Sequence, residues 1–117
     1  MKVDISKGEL IDKITILEIK TERIKDKNKL INIRCELDIL KELEFHTKHK
    51  SSMKDVNRRI WDCEESIRKM SKSSFFHTND FITCAKNIHT YNDERARIKK
   101  LINIETGSEI IEEKSFF

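Results

Sequence analysis

The chain has 117 residues, of which 38% are charged and 37% hydrophobic, with no proline and only two glycines. This length allows one domain with a single core, and the composition is typical of proteins built from long helices. The two glycines cannot supply the turns and phosphate loops of β-sandwiches, Rossmann folds or P-loops, which are therefore excluded. A formal net charge of +3 does not by itself indicate a nucleic-acid-binding protein.

Three cysteines, Cys35, Cys63 and Cys84, lie singly within apolar patterns. Their odd number and their isolation predict buried thiols in a reducing compartment and no disulfide framework. The first ten residues lack the continuous apolar segment of a signal peptide, and nowhere does the run of about 18 apolar residues that a membrane span needs occur. The sequence predicts a cytoplasmic protein with no membrane partner.

The patterns along the chain predict a single all-α domain over 1–117, an antiparallel bundle of four helices that begins with a long helical hairpin. Ser6 and Glu9 fit a capping box at the start of a helix over 6–25. Asp26 can cap a second helix over 27–48.

The second half of the chain predicts two more helices. A capping signal at Ser52 precedes a helix over 53–70, and Thr78 or Asn79 can begin one over 79–105, with Gly107 as the residue that ends it. The tail 108–117 keeps apolar residues with which it can pack onto the bundle.

Polar residues occupy positions where the helical patterns call for apolar ones. The fourth predicted helix has one seam at alternating spacings of four and three, whose first half is apolar and whose second half is not: Phe81, Ala85, Ile88, Asn92, Arg95, Lys99 and Ile102. Glu64 and Arg68 fall on the apolar face of the third helix, beside Trp61. In the first helix Glu18 lies between two apolar directions, and Lys13 and Lys20 border the apolar stripe.

Two interpretations of these charges remain open, because an unpaired buried charge costs several kcal/mol. In the first, Glu18 and Glu64 form an internal salt-bridge network with the cations Arg68, Arg95 and Lys99. In the second, which we favour from the sequence, the surplus of cations binds an anionic ligand. The predicted ligand-binding residues are Lys13, Glu18, Lys20, Trp61, Glu64, Arg68, Asn92, Arg95 and Lys99.

Four blocks of the sequence resemble one family of small bacterial and phage proteins, the domain of unknown function DUF6165. They are ISKGELIDKITILEIKTERI (5–24), IWDCEESIR (60–68), NDERARIKK (92–100) and GSEIIEEKSF (107–116). The resemblance implies no established activity. It does imply a setting, in phage genomes or near enzymes of glycan assembly, in which such a protein could sequester a nucleotide signal of host defence or assist glycan assembly. If phage-encoded, the protein would act in the host cytoplasm.

Other site chemistries find less support in the sequence. His46 and His49 have no second pair of metal ligands, so we predict no metal and no cofactor. Cys84 lacks a positioned base, and packing is its predicted role. Enzyme activity stays open only through the carboxylates of Glu18 and Glu64, because nothing identifies a substrate. The basic residues near 48–59 lack interleaved aromatic residues, so nucleic acid is not an expected partner.

The helical hairpin has a second apolar face. Ile16 and Ile19 point away from the main stripe of the first helix, and Ile31 and Cys35 do the same in the second. A monomeric hairpin does not need that face, which predicts a homodimer or a higher homo-oligomer.

The sequence thus predicts a helical module that binds a small anionic, phosphate-bearing ligand such as a nucleotide, a cyclic nucleotide or a nucleotide sugar. Arg68, Arg95 and Lys99 would hold the anion, Asn92 would contact a polar group and Trp61 would stack on the ligand. Its alternative is a structural protein-protein interaction module whose charged seam is an internal network.

Overall fold

The computed structural model describes residues 4–72 and 78–108. Within these ranges the chain forms four helices and no strand. They are α1 (Lys7–Arg23), α2 (Lys27–Lys41), α3 (Lys50–Ser71) and α4 (Asn79–Thr106). The helices pack on one another as in a bundle, which confirms the predicted all-α fold. Nearly all of the predicted tail 108–117 lies outside the described residues.

Predicted capping residues lie at the start of three helices and at the end of one. The Ser6 hydroxyl accepts a hydrogen bond from the Glu9 amide at 3.1 Å, and Thr78 does the same for the Phe81 amide at 3.4 Å. The Asp26 carboxylate accepts from two amides at the start of α2. Gly107 ends α4 with φ of 64°, a left-handed conformation that favours glycine.

The connection between α2 and α3 differs from the prediction. The second helix ends at Lys41 instead of reaching 48, and the third begins at Lys50, after His49, whose side chain makes no capping hydrogen bond. Tertiary contacts explain the early end, because Phe45 packs against both apolar clusters of the core. The buried Thr47 hydroxyl also donates to the Glu105 carboxylate at 3.2 Å.

The central helix is α1, which packs against each of the other three helices. One apolar cluster joins it to α3 and α4 and contains Ile11, Met53, Val56, Ile98 and Ile102. A second cluster joins it to α2 and contains Leu10, Ile14, Leu17 and Leu37. Among the described helices, α2 packs against α1 alone, so α2 forms one side of the bundle.

The second apolar face predicted for the hairpin is covered on α1 and exposed on α2. Ile19 is 1% exposed and Ile16 is half-buried, so the chain itself covers most of the extra face of the first helix. On α2, by contrast, Ile31 is 67% exposed, and Cys35 is exposed as well. The prediction of buried cysteines is therefore wrong for Cys35, and Cys63 and Cys84 are only half-buried.

In residues 4–72 and 78–108, no helix is both long enough and apolar enough to cross a lipid bilayer.

Candidate functional site

A polar network lies inside the bundle where α1, α3 and α4 meet. Its centre is Asp12, whose side chain has no exposed surface. Arg95 donates to the two Asp12 oxygens from Nε at 2.8 Å and from Nη2 at 2.5 Å. Asn57 Nδ2 donates to Asp12 at 2.9 Å and to the Thr15 hydroxyl at 3.0 Å. We call these four residues, together with Glu9 and Lys99, the Asp12 network.

Lys99 links the Asp12 network to a second carboxylate. Its ammonium lies 3.1 Å from Glu9 Oε2 and 3.7 Å from Asp12 Oδ2. Two cations of α4 therefore face two carboxylates of α1. The hydrogen bonds that the half-buried Arg95 guanidinium donates to the Asp12 carboxylate hold the pKa of Arg95 above its ordinary value. A fully buried carboxylate with a bidentate guanidinium is the arrangement that offsets the cost of burying both charges.

The α1 backbone comes very close to α4 beside this network. The Gly8 amide donates to Asn103 Oδ1 at 2.7 Å, and Asn103 is 1% exposed. A methyl group at Gly8 would lie only 2.5 Å from the Lys99 carbonyl oxygen. Glycine is needed here because the two helix backbones leave no room for a side chain.

Sequence reasoning missed most of this network, although α1 carries a signal for it. Gly8, Asp12, Thr15 and Ile19 are all buried and follow one another at spacings of four, three and four. This is the spacing of a helix face that packs against a neighbour. Three of its four residues, Gly8, Asp12 and Thr15, are small or polar, so a search for periodic hydrophobic residues does not detect this face. Asn57 contacts Asp12 from α3, and Asn103 contacts Gly8 from α4. In the sequence alone, nothing distinguishes these two residues from surface asparagines.

Glu18 belongs to a separate cluster, formed with lysines of the α2 to α3 region. Lys41 and Lys50 each lie 3.2 Å from its Oε2, and Lys54 lies 3.4 Å from its Oε1. Burial acts to raise the pKa of Glu18, but hydrogen bonds from Lys50 and Lys41 outweigh that effect and hold the pKa below its ordinary value. Glu22 and Glu44 pair with Lys54 and Lys50 at 2.9 and 2.6 Å, so three carboxylates face three ammonium groups.

Replacing Glu18 with Gln is expected to lower the free energy of unfolding at neutral pH by about 1–2 kcal/mol, because a charge held by three ammonium groups is lost. The folded-state pKa lies below the ordinary 4.5, so the ionised group stabilises the protein above that value and ceases to do so as the pH falls through the folded pKa. Urea unfolding should therefore show a difference between wild type and variant that shrinks as the pH falls below 4.5.

The exposed Glu65, which lies 3.9 Å from Lys69, supplies the matched control. Its replacement by Gln should change stability by less than about 0.5 kcal/mol at every pH. A Glu18→Gln difference that stays constant from neutral to acid pH would show that the Glu18 charge does not contribute.

The other predicted ligand-binding residues do not join either cluster through a described contact. Lys13 is exposed and Lys20 is half-buried on α1, while Trp61 and Asn92 are half-buried on α3 and α4. Glu64 and Arg68 are exposed on α3, although Glu64 lies close enough to Arg95 to raise its pKa further. The structure thus brings Arg95, Lys99 and, more distantly, Glu64 together, and it places Glu18 in a different group.

Two surface pockets lie along the α3 and α4 side of the molecule. The larger, of about 590 Å³, runs along α4 from Phe81 to Thr90, and the smaller, of about 300 Å³, lies between Arg59 and Glu94. Neither is lined by Arg95 or Lys99.

Among the described residues, no group of three or more His, Cys, Asp and Glu side chains is arranged to hold a metal ion. His49, one of the two histidines considered above as metal ligands, lies with its Nε2 3.1 Å from Glu105 Oε2.

Comparison with known proteins gives a family and no activity. A family model described as a family of unknown function, DUF6165, matches residues 1–117, which is the whole chain. This match confirms the resemblance of the four sequence blocks. No curated protein matches the chain, and no solved structure matches it either.

Proposed function

The chain belongs to the DUF6165 family of unknown function, and from that premise we propose that it is a helical interaction module. In this proposal the charged seam is an internal network that fixes how α1, α3 and α4 pack, and a protein partner binds at the surface. The observation that carries the proposal is the bidentate contact of Arg95 with the fully buried Asp12.

The balance of charge around the seam supports an internal network. An anion site needs a surplus of cations, whereas Arg95 and Lys99 are each engaged by a carboxylate of α1. The Asp12 carboxylate already accepts two hydrogen bonds from Arg95, so an anion that approached Arg95 would come close to a carboxylate as well. In the cluster around Glu18, three carboxylates engage four cations, since Arg58 also lies 3.4 Å from Glu22, and each of the four cations is within 3.4 Å of a carboxylate.

Buried polar networks contribute to structural specificity, which is the property that an interaction module needs. Asp12, Asn57 and Arg95 come from three different helices, and their hydrogen bonds form together only in one relative placement of those helices. Another packing would leave the buried carboxylate unpaired at a cost of several kcal/mol. The network therefore favours one rigid shape and, with it, one fixed external surface.

A second candidate function is the binding of a small anionic, phosphate-bearing ligand such as a nucleotide, a cyclic nucleotide or a nucleotide sugar. One observation favours it: the Arg95 side chain keeps 27% of its surface exposed, and its Nη1 group makes no hydrogen bond to another described residue. A phosphate could accept from that group, with Arg68 and Lys99 as further cations and with Asn92 and Trp61 as neutral contacts.

A thermal-shift screen against nucleotides, cyclic nucleotides, nucleotide sugars and sugar phosphates separates the two candidates. A ligand that binds the native state raises the melting temperature by mass action. The interaction module is expected to show no concentration-dependent shift with any of these compounds. The ligand site is expected to show a shift in the wild type that Asn92→Ala and Arg68→Ala abolish.

The choice of variants keeps the screen interpretable. Asn92 and Arg68 make no described contact with Asp12, so their replacement should leave the fold intact. The exposed Lys69→Ala, next to Arg68, is the matched control and should retain any shift. A saturable shift that Lys69→Ala keeps and the two site variants lose would overturn the proposed interaction module in favour of the ligand site.

A further inference from the structure

The outer face of α2 carries an exposed apolar ridge. Ile31, Cys35 and Ile39 of α2, and Leu43 in the turn just after it, follow one another at spacings of four, and the three aliphatic side chains are 67%, 60% and 63% exposed. At about 100° per residue this ridge lies opposite Leu37, the α2 residue that packs into the core against α1. Among the described helices only α1 contacts α2, so the ridge faces away from the part of the chain that the structure describes.

Charged residues run along one edge of this ridge in a fixed order. Lys27 and Arg34 lie in its amino-terminal half, and Asp38 and Glu42 lie in its carboxyl-terminal half. The helical angle of about 100° per residue places all four within about a quarter turn of one another, beside Cys35. All four are exposed, and none forms an ion pair with another described residue. Lys41 also lies near this edge, but it contacts Glu18 of α1 at 3.2 Å. The charges of the edge that have no described ion pair are thus basic at one end and acidic at the other.

We propose that this face binds a second copy of the chain, with the two α2 helices antiparallel and the two-fold axis passing close to Cys35. Ile31 then lies opposite Ile39 of the partner subunit. Arg34 comes within one helical turn of Asp38 of the partner subunit, and Lys27 comes equally close to Glu42 of the partner subunit. Each contact occurs twice, as a two-fold interface requires.

The order of the charges selects both the partner and the direction of docking. In a parallel two-fold arrangement the two copies of this edge would lie on opposite sides of the interface, so its basic and acidic groups would not meet. The antiparallel arrangement brings Lys27 and Arg34 each to an acidic group of the partner, so the edge is complementary to itself. A helix of 15 residues is about 22 Å long, a small face that is typical of a dimer that dissociates on dilution.

This inference rests on the proposed interaction module, since it identifies the partner of that module. It does not depend on the Asp12 network, because α2 contributes no residue to that network. A monomeric protein with an intact network would overturn the dimer alone, whereas a ligand shift at Asn92 would overturn the interaction module.

Sedimentation equilibrium over a wide range of protein concentration tests the dimer. The wild type is expected to associate reversibly, and Arg34→Asp is expected to weaken association at least about tenfold, because two pairs become repulsive. The exchanged double variant Arg34→Asp/Asp38→Arg restores opposite charges and is expected to associate as the wild type does, to within about threefold. A wild type that is monomeric throughout, or an Arg34→Asp variant that associates equally well, would overturn the proposal.

Cross-linking at Cys35 provides an independent readout of the axis. In a Cys63→Ser/Cys84→Ser background, a short bismaleimide is expected to join two chains through Cys35, because both thiols lie beside the axis. Cys35→Ser should give no cross-linked dimer, and Arg34→Asp should give much less. Cross-linking that Arg34→Asp does not reduce would show that Cys35 meets its partner in some other geometry.

Discussion

Replacing Arg95 with Met is expected to lower the free energy of unfolding by about 3–5 kcal/mol, because it leaves the Asp12 carboxylate buried without its cation. Asn57 remains as a hydrogen-bond donor to Asp12, and Lys99 lies 3.7 Å away. Neither replaces the two charged hydrogen bonds that the guanidinium makes. Urea unfolding at neutral pH measures the loss.

Arg97 is the matched control, because it lies on the same helix and also pairs with a carboxylate. Its partner Glu94 is on the surface, and the Arg97 side chain is 60% exposed. Exposed pairs contribute little, so Arg97→Met should change the free energy of unfolding by less than about 1 kcal/mol. Equal effects of the two replacements would mean that burial of Asp12 does not govern the energetics of the seam.

Replacing Gly8 with Ala is expected to destabilise the protein by about 2–3 kcal/mol, because the added methyl group overpacks the contact between α1 and α4. That group would lie 2.5 Å from the Lys99 carbonyl oxygen, which belongs to the backbone and cannot rotate away. Relieving the overlap separates the helices and lengthens the hydrogen bond from the Gly8 amide to Asn103.

The sign of this effect makes it a discriminating measurement. Helix propensity alone predicts that Ala is better than Gly within a helix by up to about 1 kcal/mol. Lys13→Ala, at an exposed position of the same helix, should stay within about 0.5 kcal/mol of the wild type. A stabilised Gly8→Ala variant would show that the helices do not approach each other as closely as described.

Local sequence signals predict a helix terminus well where the capping residue bonds only to backbone groups of its own helix. Ser6, Asp26 and Thr78 accept hydrogen bonds from amides one turn ahead, and Gly107 adopts a positive φ. These interactions span at most a few residues, so a sequence pattern contains all of their partners.

The end of α2 and the start of α3 depend on distant partners and were not predictable in this way. Phe45 leaves the helical path to pack into the core, and Thr47 donates to Glu105, far along the chain. No proline or glycine marks the break. The predicted helix over 27–48 follows local propensity, which tertiary contacts override here.

In the candidate site, too, the sequence pattern predicts which residues face inward but not which distant residues they contact. Periodicity correctly identifies Arg95 and Lys99 as polar residues on an inward-facing seam, and both are partly buried there. It does not identify Asp12, because α1 is surrounded by three helices and buries more than the single stripe that its pattern suggests. The apparent surplus of cations arose from that omission, since Asp12 and Glu9 supply the missing negative charges.

The most direct test of an internal network is a double-mutant cycle on Asp12 and Arg95, built from Asp12→Asn, Arg95→Met and the double variant, with urea unfolding at neutral pH. An internal network should give a coupling free energy of at least about 2 kcal/mol, so that the double variant is more stable than the sum of the single losses implies. Effects that add to within about 0.5 kcal/mol would contradict it, because the two side chains would then contribute independently.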